Sequence, residues 1–166
     1  DMPASLEAAH AARAAGVPVV ADLDTWTPST PDLLAVTSAL IAPASFVREA
    51  TGEADLAGAL ASLAALAGLP LVVATDGPQG SVAWCDGQPI WTSGFTVDVV
   101  DTTGAGDAFH AGFVAACVLD EDTPLEACLM FANATAALAC RGGGARGSLP
   151  TLEEVRTLVA ARRPQC

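Results

Sequence analysis

The sequence predicts an α/β fold, a doubly wound, mostly parallel sheet. Three observations carry that expectation. Short apolar runs alternate with longer helical patterns through the first half of the chain, which is the sequence form of parallel strands joined by helical crossovers. Two strand-like runs then flank Asp86-Gly87, a strong hairpin signal that adds antiparallel pairing at one side of the sheet. The first element reads as a helix with no strand before it, so the α/β domain is expected to lack its N-terminal strands.

The elements follow in order. Residues 5–15 read as a helix that Gly16 ends, and 17–22 as a buried strand polar only at its far end. Asp22 and Asp24 lie at that end, where α/β sheets bind ligands; a polar strand-end pair is the simpler reading than a metal site. Residues 26–31 form a loop with Pro28 and Pro31, and Thr30 is expected to cap a helix that Pro31 opens. Residues 39–42 make a second strand, and 44–51 a helix closed by Gly52. Residues 54–67 form an amphipathic helix with Leu56, Leu60, Leu63 and Leu66 near helical spacing and Gly68 as its stop.

A third strand over 70–75 leads into Asp76-Gly77-Pro78-Gln79-Gly80. The hairpin strands span 81–85 and 89–92, and Val97, Val99 and Val100 make a further β-rich segment. Helices over 108–119 and 125–140 are joined by the acidic turn Asp120-Glu121-Asp122, which ends in Pro124. Gly142, Gly143 and Gly144 break the pattern, and Thr151 with Glu154 forms a capping box opening a last helix to about Arg162. Trp26, Trp84 and Trp91 read as core or edge aromatics. With no internal repeat and no linker, residues 1–166 read as one domain.

Bulk composition narrows the function. At 52% hydrophobic and 16% charged the chain is globular, and no apolar run reaches membrane-spanning length uninterrupted. The net charge of −12, with seven Arg and no Lys, opposes nucleic acid and anionic membranes. It would also repel a nucleotide unless local dipoles, a few Arg and bound cations compensate. Five cysteines (Cys85, Cys117, Cys128, Cys140 and Cys166) form no C-x-x-C pair. Apolar surroundings make Cys117, Cys128 and Cys140 buried free thiols, which fits a reducing, cytoplasmic setting.

The most informative stretch is Asp101-Thr102-Thr103-Gly104-Ala105-Gly106-Asp107. Nearly bare backbone lies at a helix start, where unpaired amides and the positive end of the helix dipole can hold an anion. Asp107 puts a carboxylate beside that anion site. An anion cradle next to a base suits phosphoryl transfer to a hydroxyl. The stretch is not a dinucleotide fingerprint, because Phe109 stands where G-x-G-x-x-G needs glycine. It is not a Walker A loop, because there is no lysine. A plain strand–turn–helix junction is the alternative for this stretch taken alone.

Four ordered pieces together resemble the C-terminal half of a ribokinase-like (PfkB) carbohydrate kinase. They are Asp101 to Phe109 followed by Ala111-Gly112-Phe113, Thr75 to Gly80, Phe131 to Leu138, and Gly144-Ala145 with Leu149-Pro150-Thr151. The resemblance implies a catalytic base at Asp107 and an anion hole from the backbone of Gly104, Ala105 and Gly106. It implies nucleotide contacts at Thr75, Gly77, Gly80, Asn133 and Gly144, with ATP and Mg2+ as cofactors. It further implies a monovalent cation such as K+ near Asp101 and a sugar or sugar-like acceptor. The family's N-x-x-E motif is absent: Pro43 and Phe46 occupy those positions, which puts the metal arrangement in doubt. The N-terminal half and its lid are not represented, so a separate N-terminal half or a homodimer would be the implied partner. A non-catalytic nucleotide-binding module and a nucleoside kinase of the same fold are the alternative functions. His110, three residues after Asp107, reads as solvated or satisfied in the core, and Arg141 and Arg146 as phosphate contacts or ordinary helix-end cations.

Overall fold

The computed structural model describes residues 2–120 and 122–162; Glu121 of the acidic turn and Cys166 lie outside them. The chain divides into two compact units, Asp1–Asp76 with Val82–Ile90, and Gly77–Ser81 with Trp91–Cys166. It is α/β, as the sequence predicts.

The first unit holds α1 (Met2–Ala14), β1 (Val20–Asp22), α2 (Thr30–Leu34), β2 (Ala39–Pro43), α3 (Ala44–Thr51), α4 (Leu56–Ala67) and β3 (Leu71–Thr75). β4 (Gly80–Cys85) and β5 (Gln88–Ser93) complete a five-stranded sheet in the order β1-β2-β3-β4-β5. β1, β2 and β3 pair in parallel, with Leu40 opposite Val72 and Ala42 opposite Ala74. The connections from β3 to β4 and from β4 to β5 are too short for a parallel crossover, so β4 alone runs against the others.

Leu40, Ile41 and Ala42, like Val72, Val73 and Ala74, are wholly buried. These runs have no polar alternation because both faces of the strands are covered. α3 ends at Gly52, whose φ of 75° places its amide on the Arg48 carbonyl. α4 starts at Asp55, whose carboxylate accepts from the Gly58 amide at 2.8 Å. It buries Leu56, Ala59, Leu60 and Leu63 in the core beside β2 and β3.

Several expectations shift. β1 is shorter than residues 17–22 and begins at Val20, since Val17 and Pro18 are exposed. Leu66 is exposed rather than in the apolar stripe, falling one residue short of Ala67, which packs against the core. Ser29 rather than Thr30 occupies the N-cap position of α2, with no side-chain capping bond, while Thr30 is wholly buried and its hydroxyl accepts from the Thr27 amide. The hairpin turn forms as expected, with positive φ at both Asp86 and Gly87. Cys128 and Cys140 are buried, but Cys117 faces solvent and Cys85 is half-buried; all four are free thiols.

The second unit is built on α5 (Ala105–Leu119), α6 (Leu125–Ala139) and α7 (Leu152–Ala160). α5 and α6 meet closely at Gly112, where an added Cβ would lie 2.7 Å from Thr135 Oγ1 and 3.1 Å from Ala132 Cα. α7 opens with the expected capping box between Thr151 and Glu154 and packs Val155 against Ala134 and Leu138. Residues 97–100 do not form a strand: Val99 and Val100 are exposed, and the amides of Val100 and Asp101 donate to the Cys140 carbonyl at 2.8 and 3.2 Å. The backbone there satisfies the end of α6 instead of a neighbouring strand.

Candidate functional site

α5 begins three residues earlier than its apolar periodicity suggests, at Ala105. Gly104 is its N-cap with φ 79°, and an added Cβ would sit 2.8 Å from Ala145 Cβ. Backbone conformation and close approach both require glycine there. The Ala105 amide donates to the Thr102 carbonyl at 3.1 Å, and that of Ala108 to Gly104 at 2.9 Å. Gly106 and Asp107, between them, have no such backbone acceptor among the described residues. A Cβ built on Gly106 meets nothing within 4 Å, so the helix mouth is open at that point. Asp107, in the first turn of α5, is exposed. The arrangement is an accessible pair of amides at a positive helix end with a carboxylate on its rim.

Asp101 works differently from its neighbour. Its Oδ1 accepts from the Thr103 amide at 2.9 Å and the Thr103 hydroxyl at 2.8 Å, while Oδ2 accepts from the Gly144 amide at 2.8 Å. The Thr103 amide first, then the Gly144 amide and the Thr103 hydroxyl, hold its carboxyl below the usual carboxylate range. Gly144 has φ 70°, which lets the glycine run aim that amide back at Asp101. Asp101 therefore staples the loop before α5 to the loop after α6. His110 Nδ1 lies 2.8 Å from the Gly106 carbonyl and its ring meets Phe109 edge-on, so it belongs to the helix surface.

The nucleotide-side candidates of this unit are held by backbone proximity. Gly77 is exposed and opens a single 3-10 turn, Gly77–Gln79. Gly80 is buried with φ 104°, and an added Cβ would lie 2.1 Å from the Thr92 carbonyl oxygen and 2.4 Å from the Gly94 nitrogen. Asn133, only 6% exposed, donates from Nδ2 to Ser81 Oγ at 2.9 Å and to the Thr92 carbonyl at 3.2 Å. Sequence reasoning missed the next group. Arg162 Nη2 donates to the Ser93 and Gly94 carbonyls at 3.0 and 3.1 Å, and its guanidinium lies 4.5 Å over the Phe95 ring. A lone arginine at a helix end gives no sign of partners nearly seventy residues back along the chain.

Thr75, the remaining nucleotide candidate, is the half-buried last residue of β3 in the first unit. In the same unit, Pro43 closes β2 and caps α3. Phe46 is buried and stacks on Trp26 with centroids 6.2 Å apart and planes 24° from parallel. Neither N-x-x-E position can supply a ligand side chain. Among the described residues there is no group of three or more His, Cys, Asp or Glu placed to hold a metal.

Comparison with known proteins adds the context. A family model described as pfkB family carbohydrate kinase matches residues 3–152. The ribokinase of Bacillus subtilis (strain 168) is 42% identical over 86 residues, covering 52% of this chain and 29% of that protein. The probable chloroplastic fructokinase-6 of Arabidopsis thaliana is 42% identical over 92 residues, 52% of this chain and 24% of that protein. A solved structure of Arabidopsis thaliana ribokinase complexed with ribose and ATP superposes with a TM-score of 0.86 at 32% identity, covering 96% of this chain and 53% of that one. The chain thus spans about half the length of that ribokinase and less of the two curated relatives.

Proposed function

The chain belongs to the pfkB family of carbohydrate kinases, and on that premise we propose that it carries the phosphoryl-transfer and nucleotide-side portion of an ATP-dependent kinase. The acceptor is a hydroxyl of a sugar or related small molecule. One observation carries this reading. α5 presents an open N-terminus, and Asp107 stands exposed in its first turn with no hydrogen-bond partner among the described residues.

In this reading Asp107 takes the proton of the acceptor hydroxyl. The backbone of Gly104, Ala105 and Gly106 forms the cradle for charge developing on the transferred phosphoryl group. The Ala105 amide is already used by Thr102, whereas those of Gly104 and Gly106 have no backbone acceptor among the described residues. Gly77, Gly80 and Gly144 of the second unit line the nucleotide, and Asn133 contributes by holding α6 to Ser81 and Thr92. ATP supplies the phosphoryl group. The fit to a dedicated metal cage is poor, because no cluster of three donors exists among the described residues. No step is routed through Mg2+. A monovalent cation at Asp101 fits less well, as both carboxylate oxygens already accept hydrogens from Thr103 and Gly144. The free thiols and the net charge of −12 support a cytoplasmic protein that binds neither nucleic acid nor membrane. No described helix is long and apolar enough to cross a membrane.

The test is phosphorylation of a sugar panel with ATP, comparing the protein with Asp107→Asn. Loss of a positioned general base should lower kcat by about 10²–10⁴-fold while ATP affinity hardly changes. Full turnover in the variant overturns the base assignment. A second reading, a non-catalytic nucleotide-binding module, is favoured by Pro43 and Phe46 at the N-x-x-E positions. ATP binding with no turnover on any acceptor, even with a separately supplied N-terminal half, would establish it.

A further inference from the structure

We propose that Cys117 and Cys128 form an oxidation site, at which a peroxide converts two thiols into a disulfide joining α5 to α6. Cys117 lies near the end of α5 and Cys128 in the opening turn of α6. Both belong to the second unit.

The helix hairpin brings them to one level. A short turn separates the two helices, so they run antiparallel. They meet closely at Gly112, beside Ala132 and Thr135. Five residues on from Gly112 is Cys117, about 7.5 Å along α5; four residues back from Ala132 is Cys128, about 6 Å along α6 in the same direction. The two thiols lie within hydrogen-bond reach of each other. Cys128 Sγ also donates to the Thr123 carbonyl at 3.7 Å, which holds it toward the turn. Cys128 is buried, whereas Cys117 faces solvent. The other described cysteines differ. Burial first, and then an acidic neighbour, Asp86 or Asp101, pushes the Cys85 and Cys140 thiols up, and no second thiol acts on either among the described residues.

Exposure decides the order of events. Cys117 is the sulfur that a dissolved oxidant reaches. Its sulfur attacks one peroxide oxygen, the O–O bond breaks, and Cys117 becomes a sulfenic acid as water leaves. The Cys128 sulfur then attacks the Cys117 sulfur, the S–O bond breaks, and a second water leaves with the Cys128 proton. Two thiols and one peroxide give one disulfide and two waters; the sulfurs lose two electrons and the peroxide oxygens gain them. Burial first, and then the charge of Cys117, push the Cys128 thiol up to about 12, so Cys128 waits as a thiol. Oxidation of Cys117 consumes the thiolate that opposes ionisation of Cys128. In a reducing compartment such a bond is transient and is returned by thiol exchange. Asp107 lies ten residues back along α5, about 15 Å along the helix axis, and the site does not depend on the phosphoryl-transfer reading.

The folded protein is reduced, freed of reductant and treated with hydrogen peroxide in slight molar excess. Cleavage before Asp120 and Asp122 separates the two cysteines, so mass spectrometry shows the bond as a cross-linked peptide pair that dithiothreitol releases. That pair is expected as the main oxidation product. It should be absent from Cys117→Ser, an exposed position where folding is undisturbed. In Cys128→Ala the reaction should stop at its first step, and dimedone, which traps sulfenic acids, should label Cys117 several-fold more than in the parent. The melting temperature of Cys128→Ala is measured alongside. If that variant does not fold, the peptide map and Cys117→Ser decide. Peroxide treatment that leaves both thiols intact overturns the proposal, as does Cys117 driven to sulfinic acid with no bond formed. So does Cys117 paired with Cys85, Cys140, Cys166 or the Cys117 of a second chain in place of Cys128.

Discussion

Asn133 shows how one side chain can carry more than its position in the sequence announces. Its amide satisfies two acceptors, 52 and 41 residues away, in an environment with little water. Beside it the Thr92 hydroxyl is buried with no partner among the described residues. Asn133→Leu keeps the volume and removes the hydrogen bonds to Ser81 and Thr92. The cost should be about 1–3 kcal/mol, read from the urea midpoint. Asn133→Asp should be worse, because it sets a buried carboxylate against the Thr92 carbonyl. A midpoint unchanged in both variants would show that solvent reaches the cluster. The residue type and its helix were legible in the sequence. Its inward direction was not, since nothing local encodes a partner on a distant hairpin.

The loops that flank α5 and α6 are joined by a charge. The Asp101 carboxylate lies below its ordinary range because ionisation is what lets it accept from Thr103 and Gly144. A depressed folded-state value means the staple stabilises the protein above the unfolded pKa of 3.8 and is lost as pH falls through the lower folded value. Acid should therefore loosen the Gly144 loop. The Gly144 amide should exchange faster with solvent, relative to the intrinsic rate, only as pH falls through that lowered folded-state value. Asp101→Ala should show that loosening already at neutral pH. An amide equally protected in both would assign the loop's order to other contacts. Helices were read well where caps declare them: Gly52, Gly68 and the Thr151–Glu154 box each mark an end found in the structure. The misreadings fall at residues 97–100 and at the start of α5. Valines alone suggested a strand at 97–100, but β propensity cannot supply a neighbouring strand to pair with. The start of α5 was hidden because Ala105 and Gly106 carry no apolar periodicity.

At the scale of the molecule the α/β class was legible in the alternation of short apolar runs and helices, and the solved ribokinase structure that superposes on this chain agrees with it. Charge is the other whole-chain property, and it sets a condition on any nucleotide. A net −12 opposes the approach of ATP, itself an anion, while attraction rests on short-range amides and a helix end in a chain without lysine. The two contributions respond differently to salt. Raising ionic strength from about 20 to about 200 mM shortens the screening length from about 20 to about 7 Å, which removes much of the long-range repulsion. Contacts at hydrogen-bond distance are shielded far less. ATP affinity should accordingly rise with salt over that range, by about two- to threefold, the reverse of a site built on clustered lysine or arginine. Calorimetric titration at several NaCl concentrations reads the sign directly. An affinity that falls steeply with salt would mean that arginines such as Arg141 and Arg146, both exposed beside the glycine run, dominate phosphate binding, and that the open start of α5 is secondary.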